Sequence, residues 1–119
     1  MKITVAGNTK ADVAAQSADS TISANAVTAN GDFGIITTGA VTTAADTWEA
    51  AVTFTNSRIA AGSTILLTVN TMTGTIGTNG VPHAVVVAKT AGSCTLRIGN
   101  IGANALTGAF TIAYLVIND

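Results

Sequence analysis

The sequence predicts an all-β protein: a single β-sandwich of the jelly-roll or immunoglobulin-like kind, preceded by an extended N-terminal arm. Apolar and polar residues alternate over short runs, which is the pattern of half-buried strands. Turn residues separate these runs, as at Asn79-Gly80. Few stretches show the periodicity of an amphipathic helix, and 119 residues are enough for one domain with its own core. Two packed sheets are the architecture that this combination favours.

Residues 1–30 are predicted to form the arm and residues 31–119 the sandwich. A short strand is expected over residues 1–6. The rest of the arm is rich in Ala, Asp, Ser, Thr and Asn, and its only large apolar residues are Val13, Ile22 and Val27. So few apolar side chains cannot bury enough surface to fold alone. We therefore expect the arm to be ordered only where other parts of the protein lie beneath it.

One of the expected strands of the sandwich, over residues 47–56, carries the only tryptophan of the chain. Strands are expected at residues 33–38, 47–56, 63–70, 82–89, 93–99 and 109–117. In the second of these, Trp48, Val52 and Phe54 fall on one face of the alternation. Trp48 could anchor either the core or an interface with a partner; we favour the first, in which it adds bulk to a core built mainly from Val, Ile and Leu.

Cys94 is the only cysteine of the chain. It alternates with Leu96 and Ile98, so the three side chains share a face, and no Lys or His lies close in sequence to lower the pKa of the thiol. A buried, unreactive cysteine is therefore predicted. Residues 100–106, with two Gly and two Asn, are expected to form the turn that leads into the last strand.

The last strand is apolar on both of its faces. Tyr114 and Val116 lie on one face, and Leu115 and Ile117 lie on the other. A strand with one solvated face would alternate with polar residues. We therefore expect both faces to be covered, one by the core and the other by the arm, a neighbouring protein or another subunit.

The charge pattern excludes several classes of partner. Charged residues make up 9% of the chain, the net charge is −1, and the five Lys and Arg residues are scattered. No basic cluster exists to neutralise a row of phosphates, so neither nucleic acid nor an anionic membrane is an expected partner. No apolar run approaches the roughly 18 residues of a membrane span, and no secretion signal is expected. A surface with so few charges is typical of a protein that works within an assembly.

No set of residues predicts catalysis. His83 is the only histidine, beside Pro82 at an expected strand start, and no nucleophile motif accompanies it. A single cysteine permits neither an intrachain disulfide nor a cysteine-based zinc site, and the acidic residues form no calcium loop. The sequence predicts a protein that is not an enzyme, with no cofactor and no metal.

Three segments within residues 47–117 carry motifs of a structural kind. Residues 53–61 read TFTNSRIAA and fit a "TxTNSxIAA" strand-turn-strand pattern, and residues 91–100 read AGSCTLRIGN and fit "AGSxTIxxxN" with Leu for Ile. The terminal FTIAYLVI corresponds to an "NFxVI"-like strand, with Tyr114-Leu where Phe often precedes the valine. Through these motifs the chain resembles a family of small virion proteins of tailed phages. The family includes head decoration (cement) proteins and β-modules of tail fibres and spikes.

The resemblance implies a structural role in the virion. It suggests a small sandwich domain that forms a homotrimer over junctions of the major capsid protein, on the outer surface of the capsid, after synthesis in the host cytoplasm. The alternative is a receptor- or glycan-binding module of a tail fibre or spike, with residues 71–81 as a binding loop. Candidate interface residues are Lys2, Ile3, Val5, Lys10, Val13, Ile22, Val27, Arg58, Arg97, Leu115 and Ile117.

Overall fold

The alternating runs form the strands of two facing sheets. A computed structural model describes residues 15–118, in which eleven strands and no helix are present. The strands are β1 (Ser20–Thr21), β2 (Ala26–Thr28), β3 (Phe33–Thr37), β4 (Val41–Thr43), β5 (Thr47–Trp48), β6 (Val52–Thr55), β7 (Thr64–Met72), β8 (Pro82–Thr90), β9 (Ser93–Asn100), β10 (Leu106–Gly108) and β11 (Phe110–Ile117). The predicted all-β sandwich is confirmed.

The first sheet has the order β1-β3-β11-β7. Its central strand, β11, runs antiparallel to both β3 and β7, and β1 joins the edge of β3 in parallel. The register places Ile36, Ile112 and Val69 in one row that faces the interior. An additional residue, Asn70, interrupts the pairing of β7 with β11 as a β-bulge.

The second sheet is built around β9. One side of β9 pairs with β6 and then with β5, and the other side pairs with β8; β2 adds to the far edge of β6 in parallel. The tight β8–β9 connection has Gly92 at φ +85°, a left-handed conformation that favours glycine. A separate two-stranded ribbon joins β10 and β4.

The core lies between the two sheets and holds every inward position of β6, β9 and β11. Phe54 of the second sheet meets Tyr114 of the first edge to face, with ring centroids 5.0 Å apart. Cys94, Leu96 and Ile98 are all buried, which confirms the predicted inward face. The other apolar core residues are Val27, Ala29, Ile36, Val52, Ile59, Leu106, Phe110, Ile112 and Val116.

The described part of the predicted arm is a component of the sandwich. Residues 15–22 run beside β3, and the Tyr114 hydroxyl donates a hydrogen bond of 2.6 Å to the carbonyl of Ala18. The chain then crosses to the second sheet, where Val27 lies opposite Phe54 and is only 4% exposed. The expected boundary at residue 30 is thus not a boundary in packing, because β1 and β2 each complete one sheet. The strand expected over residues 1–6 lies outside the described residues.

Candidate binding surfaces

The outer face of the first sheet is largely apolar, and the exposed carboxylate of Asp19 lies at its β3 edge. Its register forms one row from Phe33, Leu115 and Leu66, and a second row from Ile35 and Ala113. We call this surface the apolar face; its members are Phe33, Ile35, Leu66, Ala113, Leu115 and Ile117. Leu66 is 52% exposed and Ile117 is 40% exposed, so within residues 15–118 no other segment covers this end of the sheet. Threonines border the apolar face, including Thr71 and Thr111, whose hydroxyls are 2.7 Å apart.

The edge of the apolar face is formed by β7, whose other side has no hydrogen-bonded strand among the described residues, although β8 of the second sheet lies near it. Residues 64–72 contain no charged residue and no proline. By contrast, the neighbouring edge strand β8 begins with Pro82, bulges at Val87 and carries Lys89, all of which oppose pairing with another strand. Of these two edges, β7 is the one that is suited to association.

A second surface, on the outer face of the second sheet, is centred on Trp48. The alternation along residues 47–56 favours an inward position for this residue, and that prediction is wrong: Trp48 is 41% exposed. Trp48 and Val52 are four positions apart, whereas their partners on β9, Gly99 and Leu96, are three apart. The additional residue in this stretch reverses the face on which the indole lies.

Gly99 provides the seat for the indole ring. A Cβ atom at this position would lie 2.5 Å from Cε3 and 2.6 Å from Cδ2 of Trp48, so the ring packs directly on the glycine backbone. His83, which pairs with Gly99 from the other side, meets the indole at a ring-centroid distance of 5.9 Å and an interplanar angle of 66°. Three strands are therefore needed to hold this aromatic pair in place.

A shallow depression of about 260 Å³ lies beside this pair, lined by Trp48, Val85 and Arg97. We call it the Trp48 depression. Val85 and Arg97 face each other across β8 and β9, and both side chains are half-buried. The Nε atom of Arg97 is buried and has no hydrogen-bond partner. A buried guanidinium donor without a hydrogen-bond partner lowers the stability of the folded state.

The residues predicted to contact partners do not form one surface. Leu115 and Ile117 belong to the apolar face, whereas Arg97 lies on the opposite side of the sandwich. Arg58 donates a hydrogen bond of 2.8 Å to Gln16 in the N-terminal segment. Ile22 packs against the core, and Val27 is inside it, so burial removes Val27 from the surface offered to a partner. The remaining predicted residues, Lys2, Ile3, Val5, Lys10 and Val13, lie outside the described residues.

The two candidate reactive side chains lie in different settings, since Cys94 is buried and His83 is exposed. Burial raises the pKa of the Cys94 thiol from 9.0 to about 11, with Lys89 acting in the opposite direction, so the thiol is protonated at neutral pH. His83 is exposed near the start of β8. Within residues 15–118 no three His, Cys, Asp or Glu side chains cluster as metal ligands do. The same residues include no helix long and apolar enough to cross a membrane.

The pairing of Trp48 with His83 was not predicted from the sequence, although one signal was present. A glycine inside a strand often marks the close approach of another group, and Gly99 ends the predicted strand over residues 93–99. The sequence does not reveal which group approaches it, because Trp48, His83 and Gly99 come from three different strands. Comparisons with models of known protein families, with curated proteins and with solved structures found no match.

Proposed function

We propose that this protein is a structural, non-enzymatic component of a phage virion, a capsid decoration protein that binds as a homotrimer over junctions of the major capsid protein. The apolar face is the observation that carries the proposal. It places Leu66, Leu115 and Ile117 together on one exposed, largely apolar sheet surface, which is the kind of surface that marks a site of protein association. The low charge of the chain and the motif resemblance support the same setting.

Binding of this kind would stabilise the capsid by mass action. A protein that binds only the assembled shell lowers the free energy of that state, by about 2.7 kcal/mol per site when its concentration is 100 times the dissociation constant. No chemistry is needed for this effect, and neither the buried thiol of Cys94 nor exposed His83 takes part in it. The requirement is a surface that loses contact with water on binding, and the apolar face meets it.

The test compares purified capsids with and without the protein for the temperature at which they release DNA. We expect a higher release temperature with the protein bound. Leu115→Lys, which places a charge in the middle of the apolar face, should abolish the increase. Thr53→Lys is the matched control, because Thr53 is exposed on the outer face of the second sheet and should tolerate lysine. An unchanged release temperature with the unmodified protein bound would disprove the proposal.

A second candidate function is a receptor- or glycan-binding module of a tail fibre or spike. The exposed indole of Trp48 favours it, because saccharide sites commonly present an aromatic ring to the ligand. The Trp48 depression has an aromatic side chain, whereas the loop over residues 71–81 has none. Because this depression and the apolar face lie on opposite sides of the sandwich, separate variants test the two functions.

A further inference from the structure

We propose that the Trp48 depression binds a saccharide residue that carries a carboxylate, such as a uronic acid. This inference rests on the second candidate function, glycan binding, and is independent of the capsid role. It assigns the chemical class of the ligand from three features of the depression: an indole platform, an adjacent guanidinium and a small volume.

The indole of Trp48 provides the platform. One side of the ring packs on Gly99 and the imidazole of His83 lies against it at an interplanar angle of 66°, yet the side chain remains 41% exposed. Aromatic rings contribute a large contact area at a low entropic cost when their rotamer is already fixed. The flat C–H face of a pyranose ring is complementary to such a surface.

Arg97 provides the charge that selects an acid. It lines the depression next to Trp48, and its Nε atom is buried without a hydrogen-bond partner. Neither of the other lining residues, Trp48 and Val85, is acidic, so the described wall of the depression supplies no anion to this guanidinium. Hydrogen bonds between a guanidinium and a carboxylate are about twice as strong as those between neutral groups. A sugar with a carboxylate should therefore bind more tightly than its neutral counterpart.

The volume limits the ligand to a single sugar residue at this point. Pockets for drug-sized ligands span roughly 300–1,000 Å³. The Trp48 depression, at about 260 Å³, lies just below that range. One ring, stacked on Trp48 with its carboxylate towards Arg97, is the arrangement that fits.

The experiment uses Trp48 as its own reporter, because it is the only tryptophan of the chain. The full-length protein is titrated with glucuronic acid, glucose and acetate while tryptophan fluorescence is recorded. We expect glucuronic acid to change the emission and to bind at least about tenfold more tightly than glucose. Acetate should have little effect, because it cannot stack on the indole.

Three variants assign the interactions. Arg97→Gln should reduce the affinity for glucuronic acid about tenfold and leave the affinity for glucose unchanged. Val85→Glu, which supplies Arg97 with a carboxylate of the chain, should have the same effect. Gly99→Ala should displace the indole and weaken binding of both sugars, whereas Gly62→Ala, at a position with open space around it, is the matched control. Thermal unfolding of each variant confirms that it is folded.

The remaining outcomes overturn the inference in distinguishable ways. Equal affinity for glucose and glucuronic acid would disprove the preference for an acid while glycan binding survives. A glutamate-containing peptide is titrated in the same way, and a response to this peptide but to neither sugar would identify the depression as a protein-binding site and would disprove both. No change in tryptophan fluorescence with any probe would also disprove both glycan binding and the preference for an acid. The capsid measurement would still decide the decoration role separately.

Discussion

Asn56 and Asn100 are buried side chains that hold the turns of the sandwich, and both belong to the motifs behind the phage resemblance. Asn56 donates a hydrogen bond of 2.7 Å to the carbonyl of Gly31. Asn100 donates to the carbonyls of Thr43, Ala44 and Asn104 and accepts from the N–H groups of Val81 and Gly102. These motif residues therefore preserve a backbone arrangement, which explains why they indicate a fold more directly than a function.

Replacement of Asn100 by alanine should lower the free energy of unfolding by about 3 kcal/mol or more. Two N–H groups and three carbonyls lose a partner, and each buried group left unpaired costs about 1–3 kcal/mol, less where water enters. Urea denaturation measures the change. Asn70→Ala, at the exposed bulge of β7, should change stability by less than about 0.5 kcal/mol. Similar losses in the two variants would contradict the role given to Asn100.

The pH dependence of stability should report on Tyr114, the only tyrosine. Burial, together with the negative charges of Asp19 and Asp32, raises the pKa of its hydroxyl from 10.0 to about 12. Because the folded pKa exceeds the unfolded one, the neutral phenol stabilises the fold fully below pH 10, and this contribution is lost between pH 10 and 12. The difference in unfolding temperature between the parent and Tyr114→Phe should therefore shift over this interval in favour of the variant. Absorbance at 295 nm gives the pKa directly, and titration of the folded protein near 10 would contradict the prediction.

Alternation along the sequence predicts which side chains face the core only where the strand is unbroken. Cys94, Leu96 and Ile98 lie on one continuous strand, so counting by two places them correctly in the core. Trp48 and Val52 are separated by residues 49–51, which are not in a strand, and the additional residue there shifts the count. Sequence alternation cannot detect such an irregularity, because it is defined only relative to the partner strand.

At the scale of elements, the N-terminal segment depends on glycine at position 34. The inward side of Gly34 faces the backbone of Ala18, and a Cβ atom there would lie 1.9 Å from the Ala18 carbonyl oxygen. Asp19 adds a second attachment, because its carboxylate accepts a hydrogen bond of 2.8 Å from the N–H of Ile35. This segment could not be placed from sequence, because parallel pairing joins residues distant in the chain and leaves no local signal. The same reason explains why Val27 was predicted at an interface and not in the core.

Gly34→Ala should therefore detach residues 15–22 while the rest of the sandwich remains folded. The new methyl group meets backbone, which cannot rotate away as a side chain can. We expect faster hydrogen exchange at the Ala18 and Ile22 amides, which donate to the carbonyls of Phe33 and Thr37. Gly62→Ala is the control, since open space surrounds that position. Unchanged protection of Ala18 in the Gly34 variant would show that the segment is held by other contacts.

At the scale of the whole molecule, the two outer sheet faces have different chemistry. The first sheet presents the apolar face, which ends at the unpaired edge of β7. The second sheet presents threonines and the Trp48 depression. The prediction that both faces of the last strand are covered remains a prediction, because the outward side of Ile117 is exposed in a single chain. The sequence predicts that this face of the last strand is covered. It does not predict that β7 pairs with this strand, or that the other edge of β7 has no hydrogen-bonded strand among the described residues.

Self-association should therefore proceed through β7. Leu66 lies on this edge strand and in the apolar face, so a lysine there must lose its hydration when a second chain packs on β7. We expect sedimentation velocity to show oligomers for the parent protein and monomers for Leu66→Lys. Val87→Lys is a close match, because Val87 is 60% exposed on the other edge strand, and this variant should associate like the parent. If Val87→Lys dissociates the oligomer and Leu66→Lys does not, the interface lies along β8. A parent protein that stays monomeric at every concentration would exclude a stable oligomer in solution and would leave the shell itself as the only setting in which copies of the chain could meet.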